Sequence, residues 1–221
     1  MQNKSIRKGF TLLELLIVIA ILGILGTVVI FLLNPVETLK KARDSQRLSD
    51  LSTMKTALGI YMSSVASPAL DNGTNTNCAD STGKKIWISY YSGNVTITAT
   101  TSAGSSFATL AATSTTASST LVDGTGWLPV NLGSLTGGSP ISTMPVDPIN
   151  TVAAATASTT DFMYRYSCKK TPIGFEIDAQ LESDYYTIGS ASSTRGIDGG
   201  NNANLYEVGS DLTILPASGS F

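Results

Sequence analysis

From Phe10 to Leu33 the chain is apolar at nearly every position, and the only charge in the run is Glu14. As a helix rising about 1.5 Å per residue, about two dozen such residues cross a hydrocarbon core of about 30 Å. The pattern then changes. Leu48, Leu51, Met54, Leu58, Tyr61 and Val65 recur at spacings of three and four, which predicts one apolar helical face, while Lys40, Arg43, Asp44, Arg47, Asp50 and Lys55 occupy opposite positions. The two patterns together predict one long helix continuing through Val36 to about Val65, its inner face packed on a sheet. "SVASPALDNGTNTN", rich in Pro, Gly, Asn and Asp, ends it.

Beyond that break the period falls to two. "KIWISYY" and "NVTITAT" read as strands paired through a turn near Gly93. Phe162, Tyr164, Tyr166 and Cys168 alternate with Met163, Arg165 and Ser167, and Phe175, Ile177, Ala179 and Leu181 alternate with Glu176, Asp178 and Gln180. With "KKTPIG" between them these predict an antiparallel hairpin, its aromatic face in the core against the long helix and its other face wet. "TTSAGSSFATLAATSTTASST" is a low-complexity connection. "RGIDGGNNANLYEVGSDLTILP" reads as a Gly- and Asn-rich loop followed by a short edge strand.

Composition narrows the chemistry. The chain has 221 residues and no histidine, which removes the commonest general base and metal ligand and excludes Ser-His-Asp and Cys-His catalysis within it. From Ala66 onward six basic residues (Lys84, Lys85, Arg165, Lys169, Lys170, Arg195) stand against twelve acidic ones, so no nucleic-acid site is predicted. There is no GxSxG elbow, phosphate loop, CxxC pair or dinucleotide fingerprint. Asp184, Asp198, Asn201, Asn202 and Asp211 do not match a calcium-loop spacing and read as solvated turns, so no metal and no cofactor is expected. Asp178 and Glu182 read as carboxylates on the wet face. "NGT" at Asn72 and "NVT" at Asn94 match the short glycosylation pattern. Cys78 and Cys168 are a candidate disulfide, with two separate buried thiols as the alternative.

Glu14 is the anomaly. A carboxylate within a bilayer costs at least about 2.5 kcal/mol, which makes it a functional residue by default. Gly23 and Gly26 weaken the apolar helix, and Pro35, without a backbone donor, kinks or opens it. Lys4, Arg7 and Lys8 precede the run, but Lys40, Lys41, Arg43 and Arg47 follow it, so a count of basic residues leaves its orientation open.

A short basic leader, Gly9, then "FTLLE" opening an apolar helix resembles the processing and methylation signal of bacterial type IV pilins and pseudopilins. The resemblance implies a cut between Gly9 and Phe10 by a membrane peptidase that also methylates the new amino terminus at Phe10. It implies that Glu14 serves subunit assembly by facing another subunit's amino group, and that Gly23, Gly26 and Pro35 mark a region of helix flexibility. The alternative is that Glu14 is merely stabilised in the first helical turn by the helix dipole and its own chain's amine. "PVDP" before the hairpin is similar to the loop-to-sheet segment of the same family.

Periodicity and resemblance jointly predict an α+β, pilin-like fold: a long N-terminal helix, membrane-spanning in its first half, on a small antiparallel sheet. The expected parts are a leader at 1–9, a transmembrane and assembly helix at 10–34, its amphipathic continuation at 35–66 and an extracytoplasmic head at 67–221. The expected role is a non-enzymatic filament subunit for adhesion, motility, DNA uptake or secretion. Its expected partners are further copies of itself, the prepilin peptidase, an inner-membrane assembly platform and the lipid bilayer. The amino terminus is expected in the cytoplasm before export to a surface filament. The rival is a single-pass anchored binding or enzymatic domain that does not polymerise.

Overall fold

The structure, a computed structural model, describes residues 9–81, 85–90, 96–98, 111–113, 120–152, 158–187 and 193–217. Two compact units are distinguished, Met1–Leu39 and Lys40–Phe221. The cluster Lys4, Arg7 and Lys8, the sequon at Asn94 and most of the low-complexity connection lie outside the described residues.

In the first unit, α1 (Leu12–Leu33) begins after Thr11. It is long and apolar enough to cross a membrane, and its apolar window is wholly exposed in the isolated chain. The long helix expected from the sequence is divided: α1 ends at Asn34, with φ 37°, and α2 (Pro35–Ser64) starts at the next residue. Proline disfavours helical geometry in the residue before it but suits the first position of a helix. Asparagine tolerates the left-handed conformation better than most residues. Asn34 also closes the new helix, with its carbonyl accepting from Thr38 N–H at 3.1 Å and its Oδ1 from Glu37 N–H at 3.5 Å.

In the second unit, β1 (Trp87–Ile88), β4 (Tyr164–Lys170), β5 (Ile173–Ala179) and β6 (Tyr206–Gly209) form an antiparallel sheet in the order β1-β4-β5-β6. The hairpin pairs Tyr164 with Ala179 through Lys170 with Ile173, around Thr171–Pro172, and β6 is an edge strand. Among the described residues "KIWISYY" does not pair with "NVTITAT", contrary to the sequence reading. β1 pairs instead with β4, where Trp87 stands opposite Tyr166 with ring centroids 5.7 Å apart. β2 (Thr96–Thr98) pairs with β3 (Ala111–Thr113) as a separate sheet. A large aromatic cross-strand pair stabilises the longer-range partner.

The first sheet face, with Tyr164, Tyr166, Cys168, Phe175, Ile177, Ala179 and Val208, packs against Leu51, Met54, Leu58 and Tyr61 of α2. Each large apolar side chain buried there contributes about 1.5–3 kcal/mol relative to exposure. Leu128, Val130, Leu132 and Met144 complete this core from an irregular segment. Cys78 and Cys168 are joined by a disulfide.

The second sheet face is not wet, which corrects the alternation argument. Arg165, Ser167, Glu176, Asp178 and Glu207 are buried, and Ile86, Ile88, Leu205, Ile214 and Leu215 form an apolar cluster on that side of the sheet. Period two separates polar from apolar positions, but polar groups remain dry where a later segment covers them and supplies partners.

Candidate functional site

Gly9 and Phe10 lie exposed ahead of α1, with Phe10 83 % exposed. Thr11 holds an extended conformation and its Oγ1 accepts from Glu14 N–H at 3.2 Å, while its carbonyl accepts from Leu15 N–H. Thr11 and Glu14 thus occupy the N-cap and third helical positions, the spacing of a capping box. The sequence reading missed Thr11, although "TLLE" carries that signal. The Glu14 side chain is exposed at the positive end of the helix dipole, where a carboxylate is favoured. Gly23 and Gly26 are helical, and a Cβ at either would meet nothing within 4 Å. Neither glycine is required by packing against the described residues.

The second unit holds a charged centre that the sequence reading placed on a solvated face. Arg47 is fully buried. Its Nε and Nη2 donate to the two oxygens of Asp147 at 2.7 and 2.9 Å, and its Nη1 donates to Asp44 and to Glu182 at 2.8 Å each. The Phe162 ring lies against the guanidinium at 4.9 Å. Arg43 forks onto Glu182 at 2.6 and 2.7 Å. Asp44 accepts from Ser183 N–H at 2.8 Å and from its hydroxyl at 2.6 Å. Asp147, the aspartate of "PVDP", also accepts from Ile149 and Asn150 N–H.

This arrangement joins α2, the proline-rich loop and the chain after β5 through charge-assisted bonds. Burial opposes the charge on Arg47, but Asp147, Glu182 and Asp44 outweigh it and raise its pKa. Burial likewise pushes the Glu182 carboxyl up, and the bonds from Arg43 and Arg47 bring it below its ordinary value. Asp44 and Arg47 extend the spacing of Leu51, Met54 and Leu58 toward the amino terminus, a signal hidden because the residues are charged. Glu182 and Asp178, read as wet carboxylates, are buried partners of Arg43 and Arg47 and of Arg165 respectively.

The oxygen-rich residues near the end of the chain are engaged separately. Asp211 pairs with Lys169 at 3.0 Å, Asp198 accepts from Gly200 and Glu207 N–H, and Asn202 Nδ2 donates to the Pro216 carbonyl. Among the described residues no cluster of three His, Cys, Asp or Glu side chains is placed to hold a metal ion.

A family model for the prokaryotic N-terminal methylation motif matches residues 4–30, spanning the basic leader, Gly9–Phe10, the Thr11 cap, Glu14 and most of α1. No curated protein and no solved structure matches the chain. With an apolar helix followed by a small antiparallel four-stranded sheet behind that motif, the chain carries the prepilin signal of the type IV pilin and pseudopilin family.

Proposed function

We propose that the chain is a structural subunit of a type IV pilus or pilus-like filament, cleaved after Gly9 and N-methylated at Phe10 before it assembles through α1. The observation that carries this reading is the match of residues 4–30 to the methylation motif, continuous with a helix whose apolar surface is long enough to cross a membrane. Before assembly the bilayer covers that surface, with residues 1–9 cytoplasmic. In the filament, copies of α1 cover one another, and a head-to-tail contact that does not close gives an open helical polymer.

Removal of residues 1–9 leaves a positive amino group at Phe10, directly before the Thr11 cap and beside the positive end of the α1 dipole. Glu14 of a neighbouring subunit offsets it. In low dielectric each charge is costly alone, so the pair fixes the register of entering subunits. Gly23, Gly26 and the Asn34–Pro35 break give the helix its points of flexibility during that transfer. Residues 10–34 serve as membrane and assembly helix, 35–66 as its continuation, and 67–221 as the extracytoplasmic head. The partners are the prepilin peptidase and methyltransferase, an inner-membrane assembly platform and further copies of the chain. The filament serves adhesion, motility, DNA uptake or secretion.

The test is intact mass and amino-terminal analysis of wild type and Glu14→Leu from sheared-surface and membrane fractions of native cells. Expected is a wild-type chain beginning at N-methyl-Phe10 in the sheared fraction, with the variant processed but retained in the membrane. A wild-type chain beginning at Met1 and confined to membranes overturns the proposal in favour of an anchored, non-polymerising domain.

A further inference from the structure

The Gly9–Phe10 bond stands just ahead of Thr11, the N-cap of α1. In a helix each N–H bonds the carbonyl four residues earlier. Were α1 to continue upstream, Leu13 N–H would bond the Gly9 carbonyl and Glu14 N–H the Phe10 carbonyl, which encloses the Gly9–Phe10 bond in the helical ladder. In the structure Glu14 N–H goes instead to Thr11 Oγ1 at 3.2 Å, so the hydroxyl takes the place of the Phe10 carbonyl. Leu15 N–H bonds the Thr11 carbonyl, also at 3.2 Å. Thr11 itself has φ −80° and ψ 150°, outside the helical range. Gly9 and Phe10 are exposed and non-helical, and a Cβ on Gly9 would meet nothing within 4 Å among the described residues.

The alternative to this cap is continuation, because an apolar helix that enters lipid cannot fray cheaply: each N–H left without an acceptor there is an unsatisfied polar group. Gly9 and Ser5 are the next residues upstream of the types that favour an N-cap. A helix capped at either engages the Gly9 carbonyl. The Thr11 hydroxyl competes with both by withdrawing Glu14 N–H from the upstream ladder.

Resting on the prepilin reading above, we propose that Thr11 is a positioning residue for processing: its hydroxyl stops α1 short of the Gly9–Phe10 bond and keeps the Gly9 carbonyl open to the peptidase. Hydrolysis adds water at that carbonyl, breaks its bond to the Phe10 nitrogen, and leaves a carboxylate on Gly9 and an ammonium on Phe10. A carbonyl held by Leu13 N–H inside a helix cannot lie along a binding cleft as an open segment does. Thr11 touches none of the reacting atoms. It sets the fraction of chains whose cleavage bond lies outside the helix, and apparent affinity for the peptidase scales with that fraction.

The full chain in lipid vesicles, incubated with purified prepilin peptidase, tests this, with mass spectrometry of released residues 1–9 giving initial rates over a range of chain concentrations. Thr11→Ala loses the acceptor, and Thr11→Val loses it while keeping the shape of the side chain. Both are expected to lower kcat/KM about fivefold, the typical worth of a cap, through KM with kcat unchanged. Thr11→Ser and Thr11→Asn, the second sharing only the acceptor, are expected to stay within about twofold of wild type. A kcat/KM for Thr11→Ala within about twofold of wild type overturns the proposal. So does the reverse order, with Thr11→Val cut like wild type and Thr11→Asn like Thr11→Ala, because the peptidase then reads the shape of the side chain directly. A wild-type chain left uncut at Gly9–Phe10 overturns the prepilin reading and the role of Thr11 with it, whereas wild type cut at a rate indifferent to the cap overturns the role of Thr11 alone.

Discussion

Arg47 of α2 meets both carboxylate oxygens of Asp147 at 2.7 and 2.9 Å across 100 residues of sequence, with neither side chain exposed. This fork, with Asp44 and Glu182 on the same guanidinium, fixes where the loop and the end of the hairpin meet the helix. Removing the arginine leaves buried carboxylates without their counter-charge, which costs about 3–5 kcal/mol. Arg47→Met is expected to lower the midpoint of thermal unfolding by roughly 10 °C, at about 2–4 °C per kcal/mol for a domain of this size. Arg47→Lys is expected to recover only part of the loss, because an ammonium cannot fork. Circular dichroism melts of the three proteins check both, and a midpoint for Arg47→Met within about 1 °C of wild type would refute the assignment.

The Cys78–Cys168 bond closes a loop across a sequence separation of 90. Chain-entropy arguments place the stabilisation from a loop of that size near 4–5 kcal/mol, with measured losses of about 2–5 kcal/mol on removing native disulfides from small secreted domains. Cys78→Ser/Cys168→Ser is expected to melt well below the oxidised protein, and reduced wild type to melt near the double variant. Equal melting with and without reductant, alongside titration of two free thiols before reduction, counts against the bond.

Acid is expected to destabilise the second unit through groups held below their ordinary pKa. Glu182 is one. Asp71 is another: burial pushes it up, but N–H groups of Asn77, Asn75 and Gly73 bring it down. A depressed carboxylate contributes stability above its unfolded value, near 4.3 for Glu and 3.9 for Asp, and loses it as pH falls through the folded value. Unfolding free energy is expected to decline below about pH 4, and Glu182→Gln to be less stable than wild type at pH 6 yet show a shallower acid limb. Denaturant melts at several pH values separate these outcomes, and parallel acid limbs would exclude Glu182 as a contributor.

Asn34 ends one helix and caps the next, so its replacements should rank by backbone tolerance. Asn34→Gly retains the left-handed geometry and loses only the weak side-chain cap. Asn34→Val places a β-branched residue at φ 37° and costs about 1–2 kcal/mol, or else straightens the junction. Spin labels on α1 and on the start of α2 in the detergent-solubilised chain are expected to report wild-type distances for Asn34→Gly and altered ones for Asn34→Val. Identical distances in all three proteins would assign the break to Pro35 alone.

Thr11→Ala removes the hydroxyl that receives Glu14 N–H and is expected to cost about 1 kcal/mol of local helix stability. Thr11→Ser should restore it. Amide exchange across residues 11–15 in micelles reads the effect directly, and unchanged protection in Thr11→Ala would rule out the cap.

The sequence by itself determined features whose physics is local. A long apolar run with a single charge predicts a helix because a lone segment in lipid satisfies its backbone only that way. Spacings of three and four marked Leu51, Met54, Leu58 and Tyr61, and alternation from Tyr164 to Ala179 marked the hairpin. The prepilin signal, Gly9–Phe10 with Glu14 behind it, is linear and legible without coordinates. Only the tertiary structure decided which polar residues were dry. Asp44, Arg47, Asp147 and Glu182 are ordinary surface residues until distant segments bring their charges together, and Glu176 and Glu207 belong to a wet face until residues 198–217 cover it. Burial of a charge depends on partners far away in sequence, and neither period nor composition records who those partners are.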